Sequence, residues 1–117
     1  MPTGHSIFSI AGALARHAAA RQAVIAENVA NADTPGFRAK DLEPFAKVFD
    51  AAAAAGEGAT FRREVVESLG SASPNGNTVS IEDQMMRAAE AKRDHDLATT
   101  IYAKSLSMLK AALGGRR

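Results

Sequence analysis

The sequence predicts an all-α fold in which long helices at the two ends of the chain pair as a coiled-coil-like hairpin. About half of the apolar residues are alanine, which forms helices well but buries little surface. Residues 1–117 are predicted to form a single domain. It comprises a helix over 6–32, a loop-rich middle over 33–79 and a helix over 80–113. The middle has room for a short helix and a small extended segment.

The first predicted helix shows one face of apolar and small residues. Their spacings are three, four or seven, which places them on one side of a helix. The members of this face are Ile7, Ala11, Leu14, Ala18, Ile25, Val29 and Ala32. Arg16, Arg21 and Glu27 lie off the face. We therefore expect these three on a solvated or partner-facing surface.

The end of the first helix and a fixed turn are predicted over residues 28–37, which read N-V-A-N-A-D-T-P-G-F. Asn and Asp bond to local backbone, so they suit a helix terminus. Pro35 cannot continue the helix, and Pro35-Gly36 fits the centre of a type II turn, where the second residue needs positive φ. Phe37 follows as an apolar anchor.

The middle of the chain carries weaker signals. Asp41 is a candidate cap for a short helix that begins near a proline. One face of that helix is predicted to hold Phe45, Val48, Phe49 and Ala52. Residues 56–58, Gly-Glu-Gly, indicate a flexible break, and residues 60–69 are predicted to be extended or loosely ordered. Asn75-Gly76 is the dipeptide typical of a hairpin turn.

The last helix is predicted from a capping signal and a heptad pattern. Ser80 followed by Asp83 forms a weak capping box. The predicted seam consists of Ile81, Met85, Ala88, Lys92, His95, Thr99, Tyr102, Leu106, Leu109 and Leu113. Polar residues occupy its centre, as they do where coiled coils fix register at some cost in stability. This polar centre predicts additional neighbours, including other copies of the chain.

Signals of chemistry are sparse, and we expect neither an enzyme nor a cofactor or metal. The three histidines, His5, His17 and His95, lack metal-type spacing, and there is no cysteine and no phosphate-binding loop. A formal charge of +1 argues against nucleic acid binding. Apolar runs are too short to span a bilayer, which argues against direct membrane insertion. The first residues lack a secretory signal, so any export would use a route without signal cleavage.

Residues 26–41 read A-E-N-V-A-N-A-D-T-P-G-F-R-A-K-D, and residues 76–86 read G-N-T-V-S-I-E-D-Q-M-M. These two stretches resemble bacterial flagellar axial proteins, and most closely the flagellar basal body rod protein family. The likeness also includes residues 105–114. Phe37 stands where tyrosine is usual in the family, and His95 stands near a usual tyrosine. Residues 51–73 match weakly, so the resemblance implies nothing there.

The resemblance implies a structural subunit of the proximal rod that is needed for motility. Such subunits are exported unfolded through the flagellar type III apparatus without signal cleavage, and they lie in the periplasmic rod of the basal body. They assemble helically with themselves, with other rod proteins, and with the ring–rod adaptor and export gate. We assign the subunit interface to Asn28, Asn31, Pro35, Gly36, Phe37, Tyr102, Leu106 and Leu109. The alternatives are another proximal-rod subunit of the family, or a cytosolic two-helix export adaptor or chaperone.

Overall fold

The fold is an elongated pair of long helices with a short helix and a two-stranded sheet packed beside it. A computed structural model describes residues 6–56, 61, 64–68 and 70–114. Its elements are α1 (Ile7–Ala30), β1 (Lys40–Leu42), α2 (Phe45–Ala55), β2 (Val65–Glu67) and α3 (Ile81–Gly114). The molecule measures 66 × 31 × 15 Å. The predicted helical hairpin is confirmed, and all four ends of its two helices lie within two residues of the predicted positions.

The two long helices pack antiparallel. Near one end of the pair, Asn28 of α1 bonds to Gln84 of α3. Near the other end, the rings of Phe8 and Tyr102 meet edge to face, with centroids 5.3 Å apart. Between these ends the buried contact residues are mostly alanines, among them Ala11, Ala18, Ala91 and Ala98. Because alanine is small, the core is thin and the helices approach closely.

Hydroxyl side chains cap the start of both long helices. Ser6 Oγ accepts a hydrogen bond from the Ser9 N–H at 3.1 Å. At the start of α3, Ser80 Oγ accepts from the Asp83 N–H at 3.2 Å. The Asp83 carboxylate binds Arg87 instead of returning to the cap. The predicted capping box is therefore half formed.

The buried face of α1 differs from the predicted one. It contains Ala11, Ala13, His17, Ala18, Ile25 and Asn28. Ile7 and Val29, both predicted to face the partner helix, are exposed. Arg21 was predicted on a solvated or partner-facing surface, and this prediction is wrong, since only 15% of its side chain is exposed and it binds Asp41 within the subunit. Polar groups of the middle segment bind this side of α1. The buried face of α1 is therefore more polar than the spacing of its apolar residues predicts.

The buried face of α3 is displaced from the predicted seam by one residue. Gln84, Ala91 and Ala98 are buried, at heptad spacing. The predicted seam, one position further along, is mostly exposed. One residue corresponds to a rotation of about 100°. Alanine at positions 91 and 98 permits close approach to α1, and polar bonds from the same side of α3 fix the rotation.

The short helix α2 carries the predicted apolar face. Val48 and Ala52 are buried. Phe45 and Phe49 lie against the ring of Phe61, with centroids 6.0 and 6.2 Å away. The predicted capping role of Asp41 is wrong. The N-cap position belongs to Pro44 and has no side-chain hydrogen bond, while the Asp41 carboxylate is bound elsewhere.

The small extended segment forms an antiparallel pair with β1. Residues 65–67 pair with residues 40–42, and Val66 lies opposite Asp41. The predicted Asn75-Gly76 hairpin is wrong. These residues form a turn, closed by the Gly76 N–H and the Ser73 carbonyl, but no strand flanks that turn within the described part of the chain. Of the predicted break over 56–58, positions 57 and 58 lie outside the described residues.

Candidate functional site

The turn after α1 has the predicted geometry. The Phe37 N–H donates to the Thr34 carbonyl at 3.2 Å. Gly36, between them, has φ of 75°, as the third residue of a type II turn requires. Asn31 supports the turn locally, because its side chain donates to the Glu27 carbonyl and accepts from the Thr34 hydroxyl. The predicted turn is confirmed.

Asn77 binds this turn to the segment that leads into α3. Its side-chain N–H groups donate to the carbonyl of Asn31 at 2.9 Å and to that of Thr34 at 2.6 Å. Its side-chain oxygen accepts from the Val79 N–H at 2.8 Å. Asn77 is 2% exposed. Its role was not predicted, although the resemblance included it, because the two carbonyl groups that it binds lie more than 40 residues away in the sequence.

Backbone contacts complete the junction between the two segments. The Gly36 N–H donates to the Asn75 carbonyl at 2.9 Å, and the Thr78 N–H donates to the Phe37 carbonyl at 3.0 Å. A Cβ on Gly76 would lie 3.4 Å from the Gly36 Cα. Gly76 itself has φ of 86°. Two glycines therefore allow two turns to pack backbone against backbone.

Asn28 lies inside the subunit. Its side-chain oxygen accepts from the Lys40 N–H at 3.0 Å, and its amide donates to the Lys40 carbonyl at 2.7 Å. The same amide donates to Gln84 Oε1 at 3.0 Å. Asn28 is 0% exposed. Its contacts within the subunit support a positioning role for β1 and α3, and its predicted contact with a neighbouring subunit stays a prediction.

A buried carboxylate joins the strand to both long helices. Arg21 of α1 binds Asp41 through two hydrogen bonds of 2.9 and 3.0 Å. Arg87 of α3 binds the same carboxylate. Arg21 also reaches Glu90 of α3 at 3.1 Å. Apolar periodicity placed Arg21 outside the core and indicated no partner for Asp41, so this network was not predicted from the sequence.

The network controls the protonation of Asp41. Burial by itself would raise the pKa of the Asp41 carboxyl. Hydrogen bonds from Arg21, from the Leu42 backbone N–H and from Arg87 outweigh burial and hold that pKa below its ordinary value. Asp41 is therefore ionised near neutral pH, which argues against a proton-transfer role.

The remaining predicted interface residues lie far from the turn. Tyr102, Leu106 and Leu109 are 47%, 37% and 44% exposed on α3. Leu106 is 22 residues beyond the buried Gln84, or about 33 Å along the helix. The predicted site is thus two separate surfaces at opposite ends of the helix pair. Pro35 and Gly36 are exposed at one of them, where Phe37 is half-buried.

Comparison with known proteins decides the family. Residues 11–38 match the sequence pattern of a family described as "Flagella basal body rod protein". The flagellar basal body rod protein FlgB of Agrobacterium fabrum (strain C58) is 30% identical over 111 aligned residues. That alignment covers 81% of this chain and 83% of the relative.

The chain belongs to the flagella basal body rod protein family. The matched residues 11–38 contain most of α1 and the whole type II turn. The name of this relative agrees with the sequence resemblance to the rod protein family. This member of the family is therefore a structural protein of the flagellar basal body, and the family is not an enzymatic one.

Membership also bears on the alternative functions. A rod-protein family favours assembly with other rod components over service as a cytosolic export adaptor. Within the described part of this rod-family chain, no group of acidic or histidine side chains is arranged to hold a metal ion. The same part of the chain contains no helix both long and apolar enough to cross a membrane.

Proposed function

We propose that this chain is a subunit of the proximal rod, where it assembles helically with copies of itself and with other rod proteins. It would join the membrane ring and export gate to the rest of the drive shaft, and motility would depend on it. Its similarity to a FlgB protein supports this position. The physical basis of the proposed assembly is a large apolar surface of α3 that the described part of the subunit does not cover.

The uncovered surface is greatest along the last turns of α3. Every residue from 106 to 114 is exposed. Because Tyr102 already lies beside Phe8, these turns extend past the first described turn of α1. Leu106, Leu109 and Leu113 are 37%, 44% and 74% exposed. Full burial of one leucine is worth about 1.5–3 kcal/mol, so neighbours that cover this surface would be bound firmly.

The turn is the second proposed contact surface. Asn31 and Phe37 position it, and Pro35 and Gly36 present it to solvent. The buried side chain of Asn77 binds the backbone of the turn at Asn31 and Thr34. The buried side chain of Asn28 binds the Lys40 backbone, three residues after Phe37. A surface fixed in this way binds without paying the entropy of ordering a loop. We infer that this turn contacts an adjacent rod subunit.

The proposal extends to partners and location. The ring–rod adaptor and the export gate are the proposed neighbours at the membrane end, and the subunit would reach the periplasmic rod without a cleaved signal. The resemblance of residues 26–41 and 76–86 to rod subunits supports both parts of this proposal.

Two charged substitutions on the uncovered surface of α3 test the proposal. Leu106→Asp with Leu109→Asp should remove the chain from purified basal bodies and abolish swimming, because charges would be buried in the subunit contact. Leu106→Met with Leu109→Met retains apolar character and should assemble. Circular dichroism of both purified variants checks that the helices persist. Normal basal bodies containing the double-aspartate chain would refute assembly through this surface.

A further inference from the structure

The strand β2 has an open edge. The Glu43 N–H bonds to the Glu64 carbonyl at 3.0 Å, which fixes the alternation of the antiparallel ladder. In this register Val65 and Glu67 direct their N–H and C=O groups away from β1. No group among the described residues bonds to them there, and all three residues of β2 are exposed.

The outer edge of β1 is closed, in contrast. The Lys40 N–H and C=O both bond to the Asn28 side chain. The Leu42 N–H donates to Asp41 Oδ1 at 2.7 Å. Side chains of the subunit thus bind three of the four outward backbone groups of β1, whereas no described residue binds those of β2. An open edge is a template for pairing with another chain.

A cavity of about 420 Å³ lies on the helix side of this open edge. Val66 forms part of its wall. Val66 lies opposite Asp41 in the ladder, so the two side chains point to the same face of the sheet. Asp41 on that face binds both long helices. A residue added beside Val66 at the open edge would point into the cavity.

The cavity favours a positive side chain. Three carboxylates, from Asp41, Glu90 and Asp94, and two guanidinium groups, from Arg21 and Arg87, belong to its lining. The Glu67 carboxylate binds Arg38 on the opposite face of the sheet. Both arginines already bind the Asp41 carboxylate. Among the described residues, Asp94 has one long ion pair, of 3.9 Å, with Arg93. Leu42, Pro44 and Phe45 add apolar wall, against which the stem of a long basic side chain would pack.

We propose that the open edge of β2 binds an extended segment of another protein by strand addition, and that this segment places an arginine or lysine in the acidic cavity. The basic residue lies beside Val66. Its neighbours exchange backbone hydrogen bonds with Val65 and Glu67. Main-chain bonds supply affinity in this binding mode, and the pocket supplies specificity. The full chain should bind such a peptide whatever its place in the rod.

A blocked peptide, Thr-Val-Arg-Val-Thr, is the probe for the full-length chain. Nuclear magnetic resonance should show amide shifts at Val65 and Glu67 and slowed exchange of both amides. A peptide with glutamate replacing arginine should bind about tenfold more weakly or worse, because like charges would meet in the cavity. Equal affinity for both peptides, or no shift at millimolar peptide, would overturn the proposal.

Substitutions at Val65 and in the cavity distinguish strand addition from non-specific electrostatic attraction of the peptide. Val65→Pro removes the outward N–H but no bond to β1, as edge strands tolerate, and it should abolish peptide binding. Val65→Thr keeps the N–H and should bind normally. Glu90→Gln with Asp94→Asn should lose the preference for arginine and keep residual strand pairing. Undiminished binding by Val65→Pro would overturn the proposal, as would an unchanged arginine preference in the Glu90/Asp94 variant.

Photo-cross-linking in purified basal bodies tests the same edge in the assembly. Benzoylphenylalanine at position 65 should form an adduct that maps to an arginine- or lysine-containing extended segment. The same probe at position 109 tests the uncovered surface of α3. Adducts from 109 with none from 65 would overturn strand addition and leave the rod assignment intact. Absence of the chain from basal bodies would refute the rod assignment, and peptide binding would then decide strand addition alone.

Discussion

The side-chain amide of Asn28 donates to Gln84 Oε1 at 3.0 Å, and this buried bond joins the end of α1 to the start of α3. The Gln84 Nε2 group is buried and has no hydrogen-bond partner within the described structure. An unpaired buried amide costs stability. The unpaired Gln84 amide lies where α1, β1 and α3 meet. Two hydrogen bonds from the Asn28 side chain to the Lys40 backbone stabilise the same point and offset this cost.

Asn28→Leu should destabilise the subunit by about 2–4 kcal/mol. The substitution removes three hydrogen bonds and leaves the Lys40 backbone and Gln84 without partners. Urea unfolding followed by circular dichroism measures the change. Val29→Ala, at the adjacent exposed position, is the control and should change stability by less than about 0.5 kcal/mol. A loss at Asn28 no larger than at Val29 would show that the amide is dispensable.

Asp41→Asn should destabilise the subunit by about 3 kcal/mol, because two arginines would lose their buried counter-charge. Asp96→Asn is the matched control. It removes a carboxylate from the exposed Lys92–Asp96 pair on α3, and such pairs contribute about 0.5 kcal/mol or less. Urea unfolding at neutral pH compares the two variants. Similar effects of both would contradict a structural role for the buried network.

Acid should weaken the subunit through Asp41. Its pKa is lower in the folded chain than in the unfolded chain, so the unfolded state takes up the proton first. The stabilisation is complete above the unfolded pKa of about 4 and is lost as pH falls through the folded pKa. Unfolding free energy measured from pH 6 down to pH 2 should therefore decline more steeply for the parent chain than for Asp41→Asn. Parallel curves would contradict this linkage.

Glycine-to-alanine substitutions should destabilise the subunit in the turns and stabilise it in α1. Gly36→Ala should cost about 1–2 kcal/mol, because its φ of 75° is unfavourable for a side chain. Gly76→Ala should cost at least as much, since its Cβ also meets Gly36. Gly12→Ala, inside α1, should stabilise by about 0.5–1 kcal/mol. Thermal unfolding ranks the three, and a neutral result at both turn glycines would refute the conformational requirement.

Local signals in the sequence determined the helices and the turn. Ser80 as a cap, and Pro35-Gly36 as a type II turn, depend on bonds within four residues. Alanine-rich spacing at both ends predicted the helical pair. The family resemblance also came from contiguous residues, because a short stretch suffices to carry it. These features need no knowledge of the remainder of the chain.

Tertiary structure alone decided which faces are buried and which polar groups meet. The seam of α3 is rotated by one residue because Arg87 and Glu90 bind groups that arrive from β1 and α1. Asn77 meets Asn31 across 46 residues, and Asp41 meets two arginines from different helices. Apolar periodicity does not predict such contacts, because it identifies the most hydrophobic face of a helix as the buried one. In this alanine-rich chain the burial energy per residue is small, so hydrogen bonds and ion pairs determine the helix rotation.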